Sequence, residues 1–341
     1  MARDQRTRSF SSDPNKDTLV FDVGSSFTRV SKGEKIVFEE PSCLALRRDN
    51  ESVVAIGKKA YQLLGKNSSQ IDVVFPVQYG ASASPKQFNY FMKVLAEKLE
   101  TSRTWLSQFS PNTVVVAVPD ALSPVERSQF LKAFTSTHIG KVVPVSAGLS
   151  AATNLKRLDS SGSPLCLVHI GGQTTQITVI AAGEIISAAK FPLGGMMFTE
   201  VVQDTIRNKE HCGVSWHLAE MVKKEIAYID SQILARSSKQ KKMSVQGKDI
   251  TTQLGKTVVV ASEDFVPGFE VVLADLLINI KLFFSQLPTD IATTAIASGL
   301  VLTGGSSQLV GLAEYLSAEL QTETFVSSNP EQDVLQGARA L

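Results

Sequence analysis

Apolar positions recur with two different periods along the chain, and the switches between them mark its elements. Three short β-branched runs, 19–23, 28–31 and 35–38, are separated by a Gly-Ser-Ser bend and by Lys32-Gly33, which predicts a β-meander. The run VVAIG at 53–57 predicts a further strand, and 58–64 a short helix. The period then changes. Phe88, Phe91, Met92, Leu95 and Leu99 share one face behind a Ser84 cap and Pro85, the pattern of an amphipathic helix. TVVVAVP at 113–119 reads as a buried strand, SPVERSQFLKAF at 123–134 as a second capped helix, and 141–154 as strand, turn and helix start.

The meander then begins again. With Gly24 set over Gly171 and Thr28 over Thr175, VFDVGSSFTRVSKGEKIVFEE and LVHIGGQTTQITVIAAGEIISAA follow one pattern. Each reads apolar pair, polar residue, apolar residue, Gly, three residues, Thr, then strand, turn and strand. The polar residue is Asp22 in the first copy and His169 in the second. Such self-similarity predicts a duplicated α/β domain, each copy a meander plus crossover helices, joined by the Ser/Gly-rich connector DSSGSP at 159–164. In the second half a helix is expected over 219–234, a long helix over 263–287, and strand, Gly-Gly loop and helix over 299–320. The Lys-rich stretch 233–249 reads as a solvated edge or hairpin of an inserted subdomain in preference to a polyanion site.

Composition narrows the function. The 34 basic and 33 acidic residues leave a net charge of +1, which gives no electrostatic footprint for DNA or RNA. Three cysteines, Cys43, Cys166 and Cys212, lie far apart with no CxxC partner, so neither a disulfide framework nor a zinc site is indicated and a reducing, cytoplasmic setting is expected. Residues 1–16 carry no apolar stripe and read as a disordered tail. No run approaches the roughly 18 apolar residues of a membrane span.

Three small-residue turns, each after a buried strand, carry the candidate chemistry: DVGSSFT, HIGGQTT and TGGSSQ. Small residues let backbone N–H groups approach phosphate oxygens, and Ser25, Ser26, Thr28, Thr174 and Thr175 offer hydroxyl donors. One such loop alone is simply a turn. Two related by a repeat, with a third opening a helix, favour a nucleotide cleft.

These motifs resemble the actin/heat-shock-chaperone/sugar-kinase superfamily and, within it, the MreB family of bacterial actin homologues. The similarity runs from about 17 to 341, through FDVGSSFT, EEPSCLAL, VAIGKKAYQLLG, VVVAVPDALSPVERSQFLKAF, HIGGQTT, VLTGGSSQLVGL and QGARAL. It implies an actin-like fold of two lobes around a nucleotide. The first lobe is 17–155, with a small inserted subdomain at about 48–86, completed by 330–341. The second is 163–329, with an insertion at about 200–261. Carried over to this chain, the resemblance makes Asp22 the carboxylate that holds Mg²⁺ through water, with Gly24, Ser25 and Ser26 around the terminal phosphates. Gly171, Gly172, Gln173 and Thr174 form the second phosphate loop, and Gly304, Gly305 and Ser306 lie under the adenosine. Glu220 and Lys223 fall where the family contacts base or ribose; read from spacing alone they form an exposed i, i+3 ion pair.

Departures from the family pattern cluster at the phosphate end. His169 stands where the family has Asp, and an imidazole does not supply the charge that an outer-shell carboxylate gives hydrated Mg²⁺. Ser146-Ala147-Gly148 replaces Glu-Glu-Pro, removing the residue that polarises the attacking water, and 142–154 contains no acid. Met196 and Thr199 stand where Asp is usual, and Phe27 replaces Asn. His169 reads either as a hydrogen-bonded structural residue or, protonated, as a phosphate donor. In the loop 101–112, Trp105, Leu106 and Phe109 read either as a tip that inserts at a membrane surface, as in MreB, or as side chains closing the small lobe. The expected function is an ATP- or ADP-binding cytoskeletal protein with slow or lost hydrolysis. It would form homopolymer filaments at the inner face of the cell membrane that organise cell shape or an intracellular structure. Two alternatives stay open: a non-polymerising adaptor of a membrane assembly, and a small-molecule kinase of the same fold.

Overall fold

The computed structural model describes residues 18–65, 69–101, 113–156, 164–229 and 241–341. The first lobe opens with the meander β1 (Leu19–Val23), β2 (Phe27–Lys32) and β3 (Lys35–Pro41). A small sheet follows, β4 (Leu44–Arg47), β5 (Val53–Ile56) and β6 (Ile71–Val74), with α1 (Lys58–Tyr61) between its last two strands. This sheet begins at Leu44, slightly before the expected start of the inserted subdomain at 48. After the short pair β7 (Val77–Gln78) and β8 (Ala81–Ser82) come α2 (Pro85–Thr101), β9 (Thr113–Val118), α3 (Pro124–Thr135), β10 (Lys141–Ser146) and α4 (Ala147–Asn154).

The second lobe repeats the plan with β11 (Leu165–Ile170), β12 (Thr175–Ala181) and β13 (Glu184–Phe191). It continues through α5 (Gly195–Glu210), β14 (Cys212–Gly213), α6 (Trp216–Ile226), β15 (Lys242–Asp249), β16 (Gly255–Ala261), α7 (Val266–Ser285) and α8 (Thr289–Ala297). β17 (Leu300–Thr303), α9 (Leu312–Leu320), β18 (Thr324–Val326) and α10 (Asp333–Ala338) complete the chain. The two five-stranded sheets have the same order, β3-β2-β1-β9-β10 and β13-β12-β11-β17-β18. In each, the meander is antiparallel and the two later strands join in parallel.

Strand parity decides where the polar residue of each repeat goes. Leu19, Phe21 and Val23 enter the first lobe's own core, whereas Val20 faces a third apolar cluster shared by both sheets. Likewise Cys166, Val168 and Ile170 belong to the second lobe, while Leu165 and Leu167 face the shared cluster. Asp22 and His169 continue that shared face by two residues, so both stand at strand ends that open between the lobes. Helices α4 and α10 close the far side of the cluster with Ala151, Ala152, Leu335 and Ala338. They approach so closely that a Cβ at Gly337 would lie 1.6 Å from the Ser150 carbonyl oxygen.

Two helices of the second lobe differ in extent from expectation, whereas the expected hairpin is present. Helix α6 ends at Ile226, because Tyr228 pairs with Val310 and the Ile229 N–H bonds to the Val310 carbonyl, a tertiary contact that overrides helix propensity. The helix expected from 263 begins with a 3-10 turn, Ser262–Phe265, before α7. The Lys-rich stretch 233–249 contains β15, which pairs with β16 as a hairpin. Trp105, Leu106 and Phe109 lie outside the described residues.

Candidate functional site

A cavity of about 530 Å³ opens between the lobes, and nearly all of the sequence candidates line it. Asp22, Gly24, Ser25 and Ser26 come from the β1–β2 turn, and Gly171, Gly172 and Thr174 from the β11–β12 turn. Gly304, Gly305 and Ser306 follow β17, and Glu220 and Lys223 descend from α6. Gln173 is the exception: it stands outside the lining, and its Oε1 accepts the Tyr79 N–H of the opposite lobe at 3.1 Å.

Both repeat turns close in the same way, Gly24 N–H to the Phe27 carbonyl at 3.0 Å and Gly171 N–H to the Thr174 carbonyl at 2.8 Å. They also pack on each other. A Cβ at Gly172 would lie 1.8 Å from Ser26 Oγ, so glycine is what lets the two loops meet. The third loop docks onto the second through Ser306 Oγ, which donates to the Gly171 carbonyl at 2.8 Å. Gly304 has φ +83°, and a Cβ there would strike the Ile170 carbonyl oxygen at 2.5 Å, which makes it the glycine this loop requires. Two hydroxyls offered as phosphate donors turn into the protein instead: Thr28 Oγ1 pairs with Ser42 Oγ at 2.8 Å, and Thr175 Oγ1 donates to the Leu193 carbonyl at 2.8 Å. Each bond ties the strand after the turn to a distant segment of its own lobe, a role that sequence alone does not distinguish from a ligand contact.

The electrostatics of the repeat pair are unequal. Burial pushes the Asp22 carboxyl up to about 6, against the pull of the Arg29 guanidinium. Burial, helped by Arg29, brings the His169 imidazole down to about 4. Its Nδ1 lies 3.0 Å from Thr303 Oγ1. A neutral, hydrogen-bonded ring is therefore the state of His169 at physiological pH, which favours the structural reading over the protonated phosphate donor. Among the described residues no group of three or more His, Cys, Asp or Glu side chains is arranged to hold a metal ion. Asp22 is the phosphate-side carboxylate that could meet one through water.

Glu220 and Lys223 do form the i, i+3 pair, at 2.7 Å, but not as an exposed one. Lys223 is 8% exposed and its Nζ also donates to the Gly195 carbonyl at 2.9 Å and Thr199 Oγ1 at 2.8 Å. Burial alone would raise the Glu220 carboxyl; the Lys223 ammonium and Thr199 hydroxyl outweigh it and hold the group below its ordinary value. Thr199 thus serves this network as an uncharged hydrogen-bonding member.

Several cleft residues were not singled out from sequence. Arg29 is paired to Glu39 at 2.7 Å and, across the molecule, to Glu331 at 2.6 Å. Its strand register sets it opposite Asp22, just as Gln176 stands opposite His169. The repeat was the available signal for both. Asp120 brings a carboxylate to the start of α4, where 142–154 supplies none, and accepts the Gly148 N–H at 2.8 Å. At the mouth, Tyr61 and His217 stack edge-on at 4.2 Å between the small subdomains of opposite lobes, beside Trp216.

Comparison with known proteins agrees with this arrangement. The sequence model of the family described as MreB/Mbl protein matches residues 16–341. The cell shape-determining protein Mbl of Bacillus subtilis is 25% identical over 318 residues, covering 91% of this chain and 90% of the relative. The cell shape-determining protein MreB of Escherichia coli is 25% identical over 330 residues, covering 94% and 91%. Among solved structures, MreB5 of Spiroplasma citri bound to AMPPNP superposes with a TM-score of 0.84 at 21% identity, over 95% of both chains. A MamK double helical filament gives 0.74 at 19% identity, over 95% of this chain and 98% of the other. With its duplicated lobes, shared cleft and whole-length match, the chain has the actin-like fold and belongs to the MreB/Mbl protein family.

Proposed function

We propose that this chain binds ATP or ADP between its lobes and assembles with copies of itself into cytoskeletal filaments that organise cell shape or an intracellular structure. The observation that carries the reading is the convergence of three glycine loops on one cavity, at spacings that tolerate no added Cβ at Gly172 or Gly304. Support comes from relatives: MreB5 structures bound to AMPPNP and ADP, and a MamK filament.

In this cleft Ser25, Ser26 and the backbone of Gly24 and Gly172 would cradle the phosphates, while Gly304, Gly305 and the Glu220–Lys223 pair would bound the nucleoside. Mg²⁺ bound with the nucleotide would neutralise phosphate charge, with Asp22 as the carboxylate that holds it through water. His169 contributes no charge there, and the 146–148 turn contributes no acid, so hydrolysis is slow and the nucleotide acts chiefly as a ligand that holds the lobes together. Filaments would lie at the inner membrane surface, with Trp105, Leu106 and Phe109 as the contact.

Isothermal titration with ATP and ADP tests the reading. Wild type should bind both, and Gly172→Ala should weaken binding at least about tenfold, equivalent to about 1.4 kcal/mol, by forcing the loops apart. Absence of binding at millimolar nucleotide would reduce the cleft to an inherited shape.

A further inference from the structure

The phosphate end of the cleft lacks an acid from residues 146–148, yet two other elements rebuild that wall. Asp120, on the loop between β9 and α3, reaches the first turn of α4, where its Oδ2 accepts the Gly148 N–H at 2.8 Å. The same oxygen accepts Gln176 Nε2 at 3.1 Å, across the lobe boundary. Gln176 Nε2 also donates to Thr178 Oγ1 at 3.2 Å. Both amide hydrogens are thereby committed, which leaves the carbonyl oxygen as the remaining polar atom of a side chain that lines the cavity. Gln176 is 9% exposed and follows the second phosphate loop directly, opposite His169. Glycine at 148 belongs to the same arrangement, because a Cβ there would lie 2.5 Å from Asp120 Oδ2. A side chain at 148 would displace the Asp120 carboxylate from this position.

We propose that the Gln176 carbonyl, held in place by Asp120, positions the water that attacks the terminal phosphorus of a bound nucleoside triphosphate, with Asp120 as a positioning residue. The inference rests on the reading that the cleft binds ATP. The water oxygen bonds to the γ-phosphorus as that phosphorus parts from the β–γ bridging oxygen; the electron pair leaves with ADP and the water's proton passes to the released phosphate. A carboxamide orients water without taking its proton, so orientation is its whole contribution and turnover stays slow.

Phosphate release and ATP affinity are measured separately on the full chain and on Gln176→Ala, Asp120→Ala and the double variant. Each single change should lower kcat by about 100-fold, the scale of a misplaced reacting group, while ATP affinity stays within about threefold. The double variant should be no slower than either single one, since the two residues act as a unit. A purely structural role for Asp120 would instead move stability and affinity together and leave kcat of Gln176→Ala near wild type. If Asp120→Ala does not fold, Gln176→Ala alone carries the test. ATP binding with unchanged kcat in Gln176→Ala, or wild type that binds ATP and releases no phosphate, overturns this inference and leaves nucleotide binding standing. No ATP binding at all overturns both.

Discussion

Replacing Asp22 by asparagine should stabilise the unliganded protein at neutral pH. Burial lifts this carboxyl from 3.8 to about 6, with Arg29 pulling it partly back. The folded state therefore holds the Asp22 proton more tightly than the unfolded chain does. Below pH 3.8 the residue carries no penalty; as pH climbs towards 6 the penalty grows, and above 6 it is constant. At about 1.4 kcal/mol per pH unit between those two values, it reaches about 3 kcal/mol at pH 7.5 and about 1 kcal/mol at pH 4.5. Asparagine keeps the shape and never ionises. His169 works in the opposite sense: lowered from 6.5 to about 4, it favours the folded state fully above 6.5 and loses that advantage as pH falls towards 4. Over about pH 4 to 6 the two groups largely cancel in wild type, whereas Asp22→Asn leaves the His169 slope uncovered. Urea unfolding of both proteins, at pH values from 4.5 to 7.5, reads the difference directly. Equal stability at pH 7.5, or a gain that is the same at every pH, would refute the reasoning and make Asp22 a satisfied carboxylate.

Lys223→Met removes donors to Glu220, Thr199 and the Gly195 carbonyl and should cost about 2 kcal/mol, less than a fully unpaired buried charge would, because Glu220 keeps Lys224 at 3.4 Å and the Thr199 hydroxyl; adding Glu220→Gln should recover much of it in the same urea titration. Ala147→Glu with His169→Asp should raise phosphate release by more than the two single changes combined, since both act on one transition state. Ala147 is the better position for the acid, because Ser146 Oγ already caps α4 by accepting the Leu149 N–H at 2.9 Å. Liposome co-sedimentation of wild type should exceed that of Trp105→Ser/Leu106→Ser/Phe109→Ser, and equal pelleting would assign those side chains to the protein interior or the contact to another surface.

What the sequence makes legible here is what is fixed locally. A Gly after a buried strand, repeated with its Thr four residues on, signals one turn shape in both lobes, and the Gly24 and Gly171 N–H groups close the two turns alike. Which face Asp22 and His169 take is not fixed locally, because β1 and β11 are apolar on both faces and only the packed lobes show which one is shared. Contacts between distant segments are not legible in this way. Asp120 reaches Gly148 and Gln176 from another loop, and nothing in 142–154 announces it. Lys223 appears as a surface pair until α5 brings Gly195 and Thr199 over it. Helix α6 stops at Ile226 because Val310, far along the chain, captures the strand that follows. Thr28 and Thr175 mislead for the converse reason: hydroxyls that bond to a distant segment of the protein and hydroxyls that hold a phosphate look alike until their partners are visible.

The central claim is that nucleotide held between the lobes supports assembly of this chain into filaments. Negative-stain electron microscopy of the purified full chain, with ATP, with ADP and without nucleotide, tests it most directly. Filaments in ATP, with Gly172→Ala needing at least about tenfold more ATP to form them in step with its weaker binding, are the predicted result. Dispersed particles in saturating ATP, with binding confirmed in the same sample, would contradict the claim and make the chain a nucleotide-binding protein of this fold that does not polymerise.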